Sequence, residues 1–308
     1  MSVSVERGFE VPILLLVFNR PAHTQRLMGV LQQIRPTRLY VHADGPRPSR
    51  VGELERSEET RSLVLSSINW PCEVNTLFRE ENAGLRAGVY GAINWFFEAE
   101  EYGIILEDDC IPALSFFGYC EELLVKYRWD EQVMHIGASN LVEEWTRDLE
   151  ADYQWTHFSL VWGWASWRRA WEKMDIGLSH LDSFKGMDGF LTSQWAGTYL
   201  MDKFAATKAG RNQSWAYAWF FSILYQRGYC ILPTVNLVQN VGVGDEQATH
   251  TTKRNTSAAR TAGSVQLPLR HPDRRAIQPV LEMRLFYATQ KPKFRLWIWH
   301  LLRLFGRR

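Results

Sequence analysis

The sequence has little with which to build covalent or metal staples. Its four cysteines, Cys72, Cys110, Cys120 and Cys230, include no CxxC pair. A chain of 308 residues also buries enough apolar surface to fold without disulfides. Reduced thiols and a cytosolic location are the expectation. The N-terminal apolar run, Val11 to Phe18, is too short to span a bilayer and has no basic segment before it, so it reads as a buried strand rather than a signal. Acidic and basic residues almost cancel, to a net charge of +1, which excludes nucleic-acid binding by bulk electrostatics. Internal repeats and low-complexity tracts are absent. So is a glycine-rich phosphate loop: Gly242 and Gly244 are not followed by Lys-Ser/Thr.

What remains is ordinary for a globular protein with a real core. Hydrophobic residues make up 46% and charged residues 22%, in a length that suits one large domain or one domain with an appendage. The 14 tryptophans are many. A ring face packs on the C–H face of a sugar, but aromatics also fill cores, and composition alone does not separate the two uses.

The first half alternates strand and helix patterns. Pro12 to Phe18, Leu39 to His42, Glu73 to Phe78, Tyr102 to Leu106 and Val133 to Ile136 read as strands. His23 to Ile34, Glu53 to Ile68, Ala87 to Ala99 and Ser115 to Tyr127 read as helices. This period predicts an α/β fold, a mostly parallel, Rossmann-like sheet with helices on both faces. Ligands of such sheets sit beyond the carboxyl ends of the strands. That places Asn19-Arg20, Asp44, Arg79 to Arg86 and Glu107-Asp108-Asp109 along one edge. In the second half, Trp215 to Tyr225 reads as an amphipathic helix and Cys230 to Leu237 as a strand. Residues 254–275 turn polar and basic, as a surface segment or linker does.

The acidic triplet is the most informative motif. Ionised carboxylates repel one another and avoid burial, yet these follow an apolar strand directly. A divalent cation such as Mn²⁺ or Mg²⁺ resolves the conflict and can bridge to diphosphate oxygens. A solvated turn or helix start is the competing explanation. Arg79, Asn82, Gly84 and Arg86 combine a permissive glycine with phosphate-reaching cations, although Asn-Ala-Gly is also an ordinary turn. Asp44 can accept from a nucleotide or simply stabilise its own turn. His250, between threonines, is either a metal ligand or a solvated loop residue.

The segments PILLLVFNRP, HADGPR, ENAGLRAGV, GIILEDDCIPALSFFGYC, VWGWASWRRAWEKM, SWAYAWFFSILYQRGYCILPTVNLVQNVG and GDEQATHT resemble, in order and spacing, those of GT-A-fold glycosyltransferases. The likeness is to bacterial family-2-like members that share segments with the N-acetylglucosaminyltransferase I type. It runs from about Val11 to Thr252. It implies transfer of a hexose or N-acetylhexosamine from a nucleotide sugar, UDP-linked first of all, to a glycan or lipid-linked acceptor, with inversion. By position it makes Phe18, Asn19, Arg20, Asp44, Arg79, Asn82, Glu107 and Asp108 the nucleotide pocket. Asp109 becomes the direct metal ligand of a DxD-like motif. Trp162, Trp164, Trp215 and Trp219 frame donor and acceptor. One departure matters: where relatives often carry an acidic general base, this chain has Ala216, and a base must reach the acceptor hydroxyl. Asp245, Glu246 or Glu143 taking the role, a retaining transfer, or an impaired enzyme are the three readings.

The expected organisation is a GT-A unit over 1–253, with a nucleotide half (1–140) and a donor-sugar and acceptor half (141–253). A linker and tail follow over 254–308. Residues 291–308, KPKFRLWIWHLLRLFGRR, pattern as a basic, tryptophan-bearing amphipathic helix that suits the inner face of an anionic membrane or docks on the core. Two other functions compete: a sugar-phosphate nucleotidyltransferase, for which Asn19-Arg20-Pro21 is the wrong first turn, and a non-catalytic nucleotide-sugar binder.

Overall fold

The computed structural model of the chain describes residues 8–186, 193–242 and 260–290. Chain order runs β1 (Ile13–Val17), α1 (Pro21–Ile34), β2 (Arg38–Ala43), α2 (Glu53–Ser67), β3 (Glu73–Phe78), α3 (Leu85–Ala99), β4 (Tyr102–Glu107), β5 (Cys110–Pro112) and α4 (Leu114–Lys126). The second half adds β6 (Val133–Gly137), β7 (Tyr153–Thr156), β8 (Trp164–Trp167), α5 (Arg168–Trp171), α6 (Gln194–Lys208), α7 (Trp215–Tyr225), β9 (Tyr229–Pro233), β10 (Val238–Asn240) and α8 (Pro279–Gln290).

Eight strands form one sheet in the order β3-β2-β1-β4-β8-β6-β9-β7. The strands from β3 to β4 pair parallel. β8 then enters antiparallel between β4 and β6, and β7 closes the far edge antiparallel to β9. β6 and β9 are parallel. The fold is therefore mixed α/β, with six strands pointing one way and two the other. β10 and β5 make a separate antiparallel pair.

Both faces are covered, as the continuous apolar strands require. Along β1, Ile13, Leu15 and Val17 point into one core, with Leu27 and Leu31 of α1, Val64 of α2 and Phe116 of α4. Leu14 and Leu16 point into the other, with Ile93 and Phe96 of α3 and Trp219 of α7. This two-residue alternation is the strand period itself, and each fully buried aliphatic side chain contributes roughly 1.5–3 kcal/mol. α1 starts where it does because Pro21 occupies its first turn, where a missing N–H costs nothing.

One expectation for the second half changes. α7, WAYAWFFSILY, is not amphipathic. Trp215, Trp219 and Ile223 enter one core, while Ala218, Phe220, Phe221 and Leu224 enter a third cluster with α6 and α8. A helix that is apolar all round is a buried one. The described part of the polar stretch from 254 is a surface segment held to the core. Its backbone is clamped: Leu269 N–H donates to both Glu122 carboxylate oxygens at 3.1 Å, and Arg270 N–H to Asp152 Oδ2 at 2.7 Å. Ile277 bridges to Trp155 of β7. Leu281, Leu285 and Phe286 of α8 are then buried in the third cluster. Residues 291–308 lie outside the described residues. No helix among the described residues is long and apolar enough to cross a membrane.

Candidate functional site: a cleft at the carboxyl ends of the first four strands

The parallel strands β1, β2 and β4 deliver their last residues to one cleft. It is lined by Phe18 and Arg20 after β1, His42 and Asp44 at the end of β2, and Glu107 and Asp108 at the end of β4. Asn82, Gly84, Leu85, Gly88 and Val89 close it from the α3 side, and Arg47 from the turn after β2. In register, Leu16 of β1 pairs with His42 on one side and Glu107 on the other.

Asp44 organises the α3 side of the cleft. Its Oδ1 accepts from Gly45 N–H at 3.0 Å and Ala83 N–H at 2.9 Å. Its Oδ2 accepts from Gly84 N–H at 3.1 Å and Asn82 Nδ2 at 3.1 Å. Gly45 lets the two backbones meet, since a Cβ there would lie 2.2 Å from the Glu81 carbonyl carbon. Gly84 adopts φ +78° and leads into α3. That helix has no side-chain cap, so its positive end faces the cleft. The Asp44 carboxylate is thus fully used in fixing the 82–84 loop.

Asn19 is buried and turned away, its Nδ2 donating to Glu53 Oε2 at 3.0 Å. Glu53, itself 1% exposed, also takes Arg47 N–H at 2.7 Å and the Arg47 guanidinium. The Arg47 guanidinium in turn lies 5.6 Å over the Phe18 ring. Burial would raise the Glu53 pKa, but the Arg47 hydrogen bonds are the larger effect and hold it below the usual carboxylate range. Arg79 does not line the cleft; its side chain lies along α3 against Gly91.

At the triplet, Arg20 is the opposing charge. It forks onto Asp108, with Nη2 on Oδ1 and Nε on Oδ2 at 3.3 Å. Its Nη1 reaches Asp109 Oδ2 at 3.0 Å. Three carboxylates share this one guanidinium. Burial pushes the Glu107 carboxyl up, helped by the charge of Asp109 and only partly countered by Arg20. Asp108 is pushed up by burial in the same way, with Arg20 opposing. Burial works against the Arg20 charge, but Asp108 and Asp109 outweigh it and hold its pKa above the usual value.

The short β5–β10 pair covers the triplet. Val241 N–H donates to the Asp109 carbonyl at 2.8 Å, and Asn240 Nδ2 to Asp109 Oδ1 at 3.4 Å. Gly242 passes so close that a Cβ would lie 2.3 Å from Asp109 Oδ2 and 3.0 Å from Arg20 Nη1. Among the described residues no three His, Cys, Asp or Glu side chains converge as a ready-made metal cage. Asp245, Glu246 and His250 lie outside the described residues.

The tryptophans separate. Trp164, Trp215 and Trp219 are 1%, 3% and 0% exposed. Trp164 stacks on Trp215 at 5.9 Å and on His135 at 5.0 Å. Trp219 Nε1 donates to His135 Nδ1 at 3.3 Å. These rings fill the core beneath α3 rather than facing a sugar. Trp162 packs half-buried against the opposite core. Ala216 is half-buried at the start of α7. Glu143 is engaged elsewhere, by Arg147 at 2.7 Å and Asn236 N–H at 3.1 Å.

His42 and Arg47 are cleft residues that the sequence analysis did not single out. His42 is the penultimate residue of β2, two before Asp44, so strand period turns it to the same side as the cleft carboxylate that follows the strand. It is 3% exposed; burial, then the charges of Arg79 and Arg61, lower its pKa to about 4.

No protein-family model and no curated protein matches the chain. Solved structures that overlap it include UDP-glucose pyrophosphorylase complexed with UDP-glucose, at 8% identity and a TM-score of 0.32 over 53% of this chain and 78% of that one. Apo UDP-glucose pyrophosphorylase overlaps at 8% identity and a TM-score of 0.36, over 72% of this chain and 90% of that one.

Proposed function

We propose that the chain is a GT-A-type glycosyltransferase that moves a sugar from a nucleotide diphosphate sugar, a UDP-sugar first among them, to a hydroxyl acceptor. The observation that carries the proposal is the end of β4, where one guanidinium, Arg20, pairs with Asp108 and Asp109 beside a cleft that Arg20, Glu107 and Asp108 line. The excess of negative charge and the all-oxygen donor set fit a hard divalent cation, and Mg²⁺ or Mn²⁺ needs only one or two protein carboxylates beside phosphate oxygens. Asp108 and Asp109 would hold it, with His250 a further candidate outside the described residues. Such a cation, when bound, acts as a Lewis acid on the leaving diphosphate.

The chain's own groups supply the rest of the donor site. The α3 start, from Gly84 to Gly88, offers the positive end of a helix to phosphate oxygens. The Phe18 ring offers a face to a nucleobase. Asp44 acts by holding the Asn82–Gly84 loop in place. The base of an inverting transfer is a separate matter. Asp44, Glu107 and Asp108 are the carboxylates lining the described cleft; Asp44 is saturated by its loop, Asp108 would hold the cation, and Glu107 stands directly beside it. Ala216 cannot accept a proton, so Asp245 and Glu246, outside the described residues, are proposed for that role. A glycan or lipid-linked acceptor is proposed with them, since the basic segment 291–308 suits an anionic membrane surface.

Calorimetric titration of UDP with and without Mn²⁺ tests the reading. Mn²⁺-dependent UDP binding is expected, and a donor screen by product mass should then reveal a transferred sugar. No UDP binding under either condition overturns the proposal. Pyrophosphate release from UTP and a sugar phosphate would assign the cleft to nucleotidyl transfer instead.

A further inference from the structure

We infer that Arg20 is an exchangeable counterion: it holds the acidic triplet together when the cation is absent and passes to the donor diphosphate when the cation binds. The inference rests on the divalent-cation site proposed above and adds a specific role for this side chain. Arg20 holds both Asp108 oxygens and Asp109 Oδ2, so it occupies three of the four oxygens that the two carboxylates offer a cation. Two positive groups cannot share those oxygens at hydrogen-bonding distance without strong repulsion. Gly242 packs beside Arg20 Nη1 and Asp109 Oδ2, so the space for a second ion beside the guanidinium is already filled on that side. The open side is the cleft, which Arg20 itself lines together with Glu107 and the start of α3. A displaced guanidinium that swings there meets the position proposed for the diphosphate, and its planar fork matches phosphate oxygens in two parallel hydrogen bonds.

This geometry fixes the signs of three equilibria. Without nucleotide, Arg20 competes with the cation, so it weakens cation binding. With nucleotide, the displaced Arg20 gains a phosphate partner, so UDP and cation strengthen each other, and by linkage the coupling is reciprocal. A residue that merely stabilised the fold would weaken both ligands when removed.

The experiment measures Mn²⁺ affinity by the EPR signal of the free ion, with and without UDP, for the whole chain and for Arg20→Gln and Arg20→Lys. Without UDP, Arg20→Gln is expected to bind Mn²⁺ roughly tenfold or more tightly than the native chain, because one adjacent positive charge is gone. With UDP the order narrows or reverses, since only the native chain gains the phosphate contact. Arg20→Lys keeps the charge and loses the fork, so it should stay near native affinity without UDP and show a smaller gain with it. It also serves as the readout if Arg20→Gln fails to fold, with circular dichroism reporting the fold of each variant. Equal or weaker Mn²⁺ binding by Arg20→Gln without UDP overturns the inference while leaving the cation site intact. The same holds if Arg20→Lys keeps the full native coupling. If no form binds Mn²⁺ with or without UDP, the cation site itself is refuted, and the exchange role with it.

Discussion

Asp44 shows how a single carboxylate can look like a ligand contact in sequence and act as a clamp in space. It follows a strand and lines the cleft, yet all four of its hydrogen-bond partners come from its own turn and the 82–84 loop. Asp44→Asn replaces one acceptor oxygen with a donor that faces other donors. The expected cost is about 1–3 kcal/mol, measured as a lowered urea midpoint, with nucleotide binding weakened through the displaced loop. No change in either quantity would show that the clamp is not needed. The residue type and its place after the strand were legible in the sequence. Its partners were not, because they depend on Gly45 and Gly84 bringing two segments together. The tryptophans teach the converse. The resemblance gives Trp164, Trp215 and Trp219 to donor and acceptor, but an indole reads the same in a sequence whether it meets a sugar or a core. Only the third dimension shows Trp164 wedged between His135 and Trp215.

At the scale of elements, the strands and helices of the first half were legible almost to the residue. β1 and β4 are apolar runs bounded by turn chemistry, which leaves little ambiguity of period, and the weaker alternation of β3 is read from its place between two helices. The end of the chain was harder. The stretch from 260 to 278 is held by backbone groups donating to Glu122 and Asp152, and such side-chain-to-backbone clamps leave no hydrophobic periodicity. α8 then adds three buried residues, Leu281, Leu285 and Phe286, to a cluster built mainly by α6 and α7. Phe286→Ala should therefore cost about 3–5 kcal/mol, as a truncated core aromatic does, seen as a shift of the denaturation midpoint at unchanged slope. A cost below about 1 kcal/mol would mean that α8 is an appendage and not part of the core.

For the molecule as a whole, two buried histidines make the fold sensitive to acid. His42 sits in the first half of the sheet with its pKa lowered to about 4. His135 sits in the second with its pKa lowered to about 3, again by burial, despite its hydrogen bond to the Leu160 carbonyl. Both folded pKa values lie below the unfolded value of 6.5. Above that pH neither state is protonated and nothing changes. Below it the unfolded chain takes up protons that the folded chain refuses, so stability falls by about 1.4 kcal/mol per pH unit for each histidine, down to the folded pKa. The raised carboxyls of Glu107 and Asp108 act in the opposite sense, giving up stability as pH rises toward their folded pKa. The histidine contribution is isolated by comparing the native chain with a His42→Gln/His135→Gln variant in urea between pH 7 and pH 5. The native chain should lose ground steadily against the variant as the pH falls, and parallel curves would refute the assignment.

The clamped stretch from 260 to 278 has one more consequence. A sheet edge offers unpaired N–H and C=O groups that can recruit a strand from another molecule. β7 is such an edge, short, fully buried and rich in aromatic and β-branched residues. Ile277 pairs with its Trp155, and Arg270 O accepts from Asp152 N–H just before it at 2.9 Å. The segment thus takes up backbone groups along the β7 edge that would otherwise be open to a strand from another molecule.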